Sequence, residues 1–429
     1  MWSTFVNAWR SKDVRQKLLF TLFILVIYRF GSVAILIPGI DTDGLRLLFD
    51  QYSESGNLLG YFNVLSGGAL SYATLFALSI TPYINASIII QLLTVAIPAL
   101  ERLSRDGGEE GKKKLAAITR YSTVAIGLIQ SFTYYILLKN NNLLTQSGVW
   151  QAIVIIASFT AGSAIVMWLG EKITEKGIGN GISMILFAGI LSRIPSVVRY
   201  IIGYISMGGW YILGMVGLII GVLAMIVFIV FMTDGERRIP IQYAKRMVGR
   251  KMYGGQATNL PMKVNMSGVL PVIFASTLLS LPSTIIGFTQ PREGGFWDGV
   301  GKVFTSTHPV YIILYILFII AFGYFYAMIQ FNPVEVANNI KKNGGFVTGY
   351  RPGKPTSDYL TRIEHKITFI GSTFLVIIAA LPLIFGAITG MTNIAIGGTS
   401  LMIAVGVAIE FYEQIETQLM MRHYKGFLE

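Results

Sequence analysis

Long apolar runs separated by short polar connections repeat along almost the whole chain. A bilayer's hydrocarbon core is about 30 Å thick and takes about 20 apolar residues per helix. Runs of that kind fall at Leu18 to Ile37, Tyr72 to Ile97, Leu115 to Leu138, Trp150 to Leu169, Gly181 to Ile202, Trp210 to Met232, Gly268 to Phe288, Val310 to Phe331, Ile367 to Ile388 and Ile396 to Tyr412. The pattern predicts an all-α polytopic membrane protein of about ten transmembrane helices with no soluble domain between them. The first run is too long for a signal-peptide core and lacks a small-residue cleavage site after it, so it is expected to be retained.

Four of the runs are poor membrane helices. The second contains Thr81, Pro82, Asn85, Ser87 and Gln91, the seventh Pro271 and Pro282, while the fifth opens on GIGNGIS and the tenth on GGTS. Polar or irregular backbone is tolerated at membrane depth where it is buried in protein or lines a watery cavity. Small residues packed between helices are the other use of such positions; four such spans together favour a cavity. Ahead of the second run, Asn57 to Ser71 reads NLLGYFNVLSGGALS, half a span of apolar residues interrupted by Gly67 and Gly68. Too short to cross, it is expected either to re-enter the protein or to rest as a short helix on the outer leaflet.

Composition agrees with the pattern: 53% of the 429 residues are hydrophobic and 13% charged, where soluble proteins carry about 25% charged residues. Cysteine is absent, which excludes disulfides and thiolate metal sites. The net charge of +12 matters less than its location. The two tails and the even-numbered connections hold 26 Lys and Arg, against six in the odd-numbered connections when Arg193 and Arg199, at the end of the fifth run, are counted with them. By the positive-inside rule both termini are cytoplasmic.

Candidate chemistry is sparse. His308, His365 and His423 all lie in connections or the tail, and no cluster has metal-ligand spacing. RDGGEEGKKK, Arg105 to Lys114, lacks both the first Gly and the Ser/Thr of a phosphate loop, and GIGNG lacks the dinucleotide register. No cofactor, metal or catalytic residue is expected. Ion-coupled transporters place acids or histidines within the membrane; here Glu410, near a helix end, is the one acid or histidine in the apolar runs, and Arg29 lies just past the middle of the first span. Arg29 is either functional or a structural, snorkelling residue, since no second charge lies at matching depth. A secondary transporter with broken helices and an intramembrane enzyme are the rival readings, and the missing acids and nucleophile–base pairs weigh against them.

Two long basic connections remain. ERRIPIQYAKRMVGRKMYGGQATNLPMKVNMSGVLPVIFAS and FNPVEVANNIKKNGGFVTGYRPGKPTSDYL resemble the two large cytoplasmic loops of the SecY/Sec61 alpha family of protein-conducting channels. IPGID, SGGALS, FALSITPYINASIIIQLL, EKGIGNGISMILFAGI and GGTSLMIAVGV match that family in order, over about Leu18 to Tyr424. Small departures are Thr81, where many relatives have Met, and Thr348, where Pro is common.

The resemblance implies two pseudo-symmetric five-helix halves, residues 18–202 and 203–413, around a central hourglass pore, with cytoplasmic tails 1–17 and 414–429. It implies a channel that passes unfolded secretory chains across the bacterial plasma membrane and releases transmembrane segments into the lipid bilayer. Position by position, its pore ring falls on Ile80, Ile84, Ile182, Leu186, Ile273 and Ile403, and its re-entrant plug on about 57–71, with Asn63, Ser66, Gly67, Gly68 and Leu70. A lateral gate between the second and third helices and the seventh and eighth would use Asn85, Ser87, Gln91, Gln130 and Asn265, which ordinary packing explains equally well. Loops of about 233–267 and 332–366 would dock the SecA motor ATPase and the ribosome with its RNA through Lys245, Arg246, Arg250, Lys251, Arg351 and Lys354; topology and anionic headgroups are the simpler reasons for such charge. The small subunits SecE and SecG, translocating polypeptides and their signal sequences complete the implied partners.

Overall fold

The computed structural model describes residues 2–54, 63, 66–105, 107–146, 148–206, 210–243, 246–248, 251–253, 257–289, 295–305, 308–389 and 397–425. A short amphipathic helix α1 (Trp2–Arg10) leads into α2 (Lys12–Val33) and then α3 (Thr42–Glu54), whose first amides, Asp43 and Gly44, donate to the Asp41 carboxylate at 3.2 Å each. Next come α4 (Thr81–Ala96) and α5 (Pro98–Arg105), bent 105° from each other. Pro98 causes the bend, because a residue before proline is driven out of the helical region, and Ile97 is extended. The helices α6 (Gly108–Asn140), α7 (Val149–Lys176), α8 (Gly181–Leu191), α9 (Ile194–Ser206) and α10 (Trp210–Asp234) follow.

After four strands, β1 (Glu236–Tyr243), β2 (Arg246–Val248), β3 (Lys251–Tyr253) and β4 (Ala257–Lys263), come α11 (Leu270–Thr289), α12 (Phe296–Val303), α13 (Pro309–Gln330) and α14 (Pro333–Lys342). Strand β5 (Gly345–Val347), α15 (Lys354–Thr389) and α16 (Gly397–Lys425) complete the order. Among the described residues seven helices are long and apolar enough to cross a membrane, or eight with the bent pair. The seventh and tenth predicted spans are also helical, as α11, which carries no charged residue, and α16, which carries Glu410, Glu413 and Glu416.

The second predicted span needs correction at its start. Tyr72 to Ile80 is a chain of turns, with Ala73 and Ser79 at φ 46° and 50°, and helix begins only at Thr81. That backbone survives at depth because it is enclosed in protein: Ala73, Phe76, Ala77 and Ser79 are buried. Its amides are paired locally and with the end of α2, Leu75 N–H to Ile35 O and Ile37 N–H to Ala73 O. Gly162 on α7 packs directly on the Leu75 carbonyl, where any Cβ would collide.

Side chains sort into clusters that follow the chain. One draws on residues 37–159, another on 229–402, and a third combines both parts, from Ile24 to Val407. Outside lies the lipid face, barest on α10, where Ile220, Leu223, Val227 and Phe231 are exposed and 6% of the apolar stretch is buried, against 61% on α15.

Candidate functional site

Ile80 caps the start of α4 and Ile84 lies one turn on; Ile182 and Leu186 share a face of α8 at i, i+4, Ile273 lies on α11 and Ile403 on α16. All six meet in the cluster that joins the two parts of the chain. Ile80, Leu186, Ile273 and Ile403 are no more than 8% exposed, and Ile84 and Ile182 are half-buried against them. Asn180 aims α8 at this point, its side-chain oxygen accepting the amides of Ile182 and Ser183. Aliphatic side chains packed this tightly leave no room for water among them.

Beside the ring, the segment around Gly67 is knotted by its own hydrogen bonds. The Asn63 side chain accepts the Ser71 amide at 3.1 Å, the Asn63 carbonyl accepts the Gly68 amide at 2.8 Å, and Ser66 Oγ accepts the Leu70 amide at 3.3 Å. Gly67 and Gly68 take φ 68° and 88°, which L side chains rarely adopt. Asn63, Ser66 and Leu70 are buried, which settles for 63 and 66–71 that this stretch enters the protein; residues 57–62 and 64–65 lie outside the described residues. Two helices grip it: Tyr134 on α6 donates to the Leu70 carbonyl at 2.6 Å, and Arg29 on α2 to the Gly67 carbonyl at 3.1 Å. A Cβ on Gly67 would lie 2.7 Å from Ser192 Oγ and 3.0 Å from the Gly189 carbonyl. Ser192 is six residues beyond Leu186, about 9 Å along the α8 direction, so the segment seats just past the ring.

The predicted gate residues divide. Gln91 on α4 accepts a hydrogen bond from Tyr326 of α13 at 2.6 Å, a direct tie between the two sides. Around it, Phe274 of α11 packs edge-on against Tyr326 and Phe322, with centroids 5.3 and 5.6 Å apart. The bonds expected of Asn85 and Asn265 do not form: both Oδ1 atoms are buried without a partner among the described residues. Ser87 and Gln130 are half-buried on α4 and α6.

The two basic loops are not separate. Strand β1 pairs antiparallel with β4, Glu236 opposite Lys263 through Gln242 opposite Ala257, and on its other edge with β5, Ile241 opposite Val347. Ile239, Ile241, Met262 and Val347 form one core with Ala337 and Ile340 of α14 and Leu360 and Ile367 of α15. Arg246 and Lys251 fall on β2 and β3, a second hairpin, while Lys245 and Arg250 lie outside the described residues. Arg351 is exposed in the turn after β5, between Gly349 and Gly353 at φ 88° and 101°, and Lys354 is exposed at the start of α15. The Thr356 hydroxyl donates to the Arg351 carbonyl at 2.8 Å and Tyr350 stacks on Tyr359, which stiffens the turn. Lys263 binds both Glu413 oxygens on α16, at 2.8 and 2.9 Å, tying the sheet to the helix that carries Ile403.

Sequence reading missed the strands, Tyr134, Tyr326 and the Arg29 contact. Strand β1 had a signal, since Ile239, Ile241 and Tyr243 alternate with Arg238, Pro240 and Gln242. The tyrosines had none, being apolar-run residues like their neighbours. Among the described residues no group of His, Asp and Glu could hold a metal ion.

A SecY family model matches residues 74–412. The protein translocase subunits SecY of Streptomyces scabiei and Streptomyces coelicolor are 43% and 44% identical, each covered in full by the full chain. That of Thermotoga maritima is 42% identical over all of this chain and 98% of its own. Among solved structures, a protein-conducting channel matches with a TM-score of 0.61 at 18% identity, over 94% of this chain and 91% of its own. A SecY structure whose plug domain is described as stabilising the closed translocation channel matches with a TM-score of 0.66 at 19% identity, with the same coverage. At these identities the structures speak to the fold.

Proposed function

The chain belongs to the SecY family of protein translocase subunits, and from that premise we propose how its residues conduct polypeptide while keeping the membrane tight. It is a protein-conducting channel subunit of the bacterial plasma membrane. It passes unfolded secretory chains across the bilayer and releases transmembrane segments sideways into lipid. The observation that carries this reading is the meeting of six aliphatic side chains from both parts of the chain in one dry cluster. A channel for chains of any sequence cannot rely on a specific binding site. A collar of flexible aliphatics dewets when empty and closes around a passing peptide without preference.

In this reading residues 18–202 and 203–413 are the two halves, supported by clusters confined to each, and both termini are cytoplasmic, supported by the charge bias. The segment from 57 to 71 is the plug, and the α4–α13 seam with α6 and α11 is the lateral gate. SecE and SecG accompany the chain. The sheet that joins β1, β4 and β5 is the docking platform, where Arg351, Lys354 and the basic hairpin meet SecA or the phosphates of ribosomal RNA, the latter in a salt-dependent way. Nucleotide is spent by those partners.

Two experiments test it on the channel purified with its companion subunits and reconstituted. Arg351→Glu is expected to abolish SecA-driven export of a secretory precursor, and export at the unaltered rate refutes the docking role. Deletion of Asn63 to Leu70 is expected to leak ions and admit defective signal sequences; a tight channel with an unchanged signal requirement refutes the plug.

A further inference from the structure

Arg29 is the most expensive side chain in the bundle. A guanidinium within a membrane span is rare and is ordinarily paired with a carboxylate, a backbone carbonyl or water. Among the described residues no carboxylate lies within ion-pair distance of it; what it meets is the carbonyl of Gly67, at 3.1 Å. The seat on the other side admits only bare backbone. Gly67 is left-handed, and an added Cβ would lie 2.7 Å from Ser192 Oγ, 3.0 Å from the Gly189 carbonyl and 3.1 Å from the Arg29 guanidinium itself. Ser192 is no competing donor, since its hydroxyl already donates to Gly189 at 2.6 Å and stands 3.5 Å from the Gly67 carbonyl. The other grip, Tyr134 on the Leu70 carbonyl, lies where the segment runs back into the turns before α4. One end is therefore a root and Gly67 is the tip that can let go.

The geometry points to Arg29 as the plug latch, the residue that sets how strong a signal sequence must be to open the channel. The inference rests on the plug reading above. A charge-assisted hydrogen bond in a half-buried site is stronger than a neutral one, so the closed state gains most from it. When the plug leaves and the outer funnel fills with water, the guanidinium is hydrated instead, so opening costs the difference and no more. A signal that binds too weakly to cover that difference fails.

The test is resting ion conductance in planar bilayers, with export of a reporter bearing a shortened signal core, for the channel with its companion subunits. Arg29→Met is expected to raise both about tenfold, the worth of one hydrogen bond to a charged group, and Arg29→Lys to fall between. In a channel already lacking residues 63–70, Arg29→Met should add nothing. If the deletion leaks and Arg29→Met does not, the latch is refuted and the plug stands; if neither leaks, both fall. An additive effect of the two changes also refutes the latch, because it places the action of Arg29 elsewhere. Should Arg29→Met fail to assemble, Gly67→Ala breaks the same contact from the plug side, and a tight Gly67→Ala channel overturns the proposal.

Discussion

In the proposed channel, the plug segment and the lateral seam close the same pore by opposite means. From Gly68 to Ser71 every amide has a named acceptor, and two helices add donors at 2.6 and 3.1 Å. Along the seam, among the described residues, one side-chain bond crosses, Tyr326 to Gln91, and two buried asparagine oxygens go without a partner. What holds the seam is aromatic and aliphatic contact around Phe274. In lipid such contacts are readily exchanged, because acyl tails are as apolar as the side chains they replace. A plug must resist ions and stay shut until its cue arrives. A seam that has to part for any hydrophobic helix is better held by contacts the incoming helix can itself supply.

The comparison can be broken where both closures meet, at the ring. Ile80→Asn places an amide at a site with 0% exposure, and an unpaired buried polar group costs about 1–3 kcal/mol. It is expected to wet the constriction and raise resting conductance more than tenfold; conductance at the unaltered level would show that the ring does not seal. Tyr326→Phe removes the Gln91 bond across the seam, worth about 1 kcal/mol, and should ease insertion of a weakly hydrophobic signal about fivefold while leaving ion conductance alone. A leak without easier insertion would reverse the roles of seam and plug. Asn85→Leu sharpens the contrast with the opposite sign. Replacing the amide, whose oxygen lacks a partner among the described residues, by an apolar side chain should tighten the seam and reduce export of marginal signals about threefold, the worth of a modest part of that desolvation cost. Easier export would show that Asn85 holds the gate shut after all.

Parts of this site were readable along the chain and parts were not. Ile80 and Ile84, or Ile182 and Leu186, announce a common helix face by their spacing, yet an isoleucine in a membrane helix looks the same whether it faces lipid or a pore. Motif resemblance singled these out, and their packing into one cluster came from the fold. Gly67 and Gly68 mark a turn in any sequence, but the Arg29 guanidinium is 38 positions away and Tyr326 is 235 from Gln91. The loop strands were overlooked because a membrane-length ruler does not register alternation in eight residues.

Span length, apolar content and the uneven placement of Lys and Arg are properties of short stretches in one solvent, so the chain alone determined a multi-pass helical protein and set the expectation for the side its loops face. Which donor meets which acceptor was decided only in three dimensions. The partner of Arg29, the Tyr326–Gln91 bond across the seam and the joining of two basic loops into one sheet all depend on where distant segments come to rest. In a bundle where lipid and protein are equally apolar, that placement follows from shape and hydrogen bonding rather than from hydrophobicity.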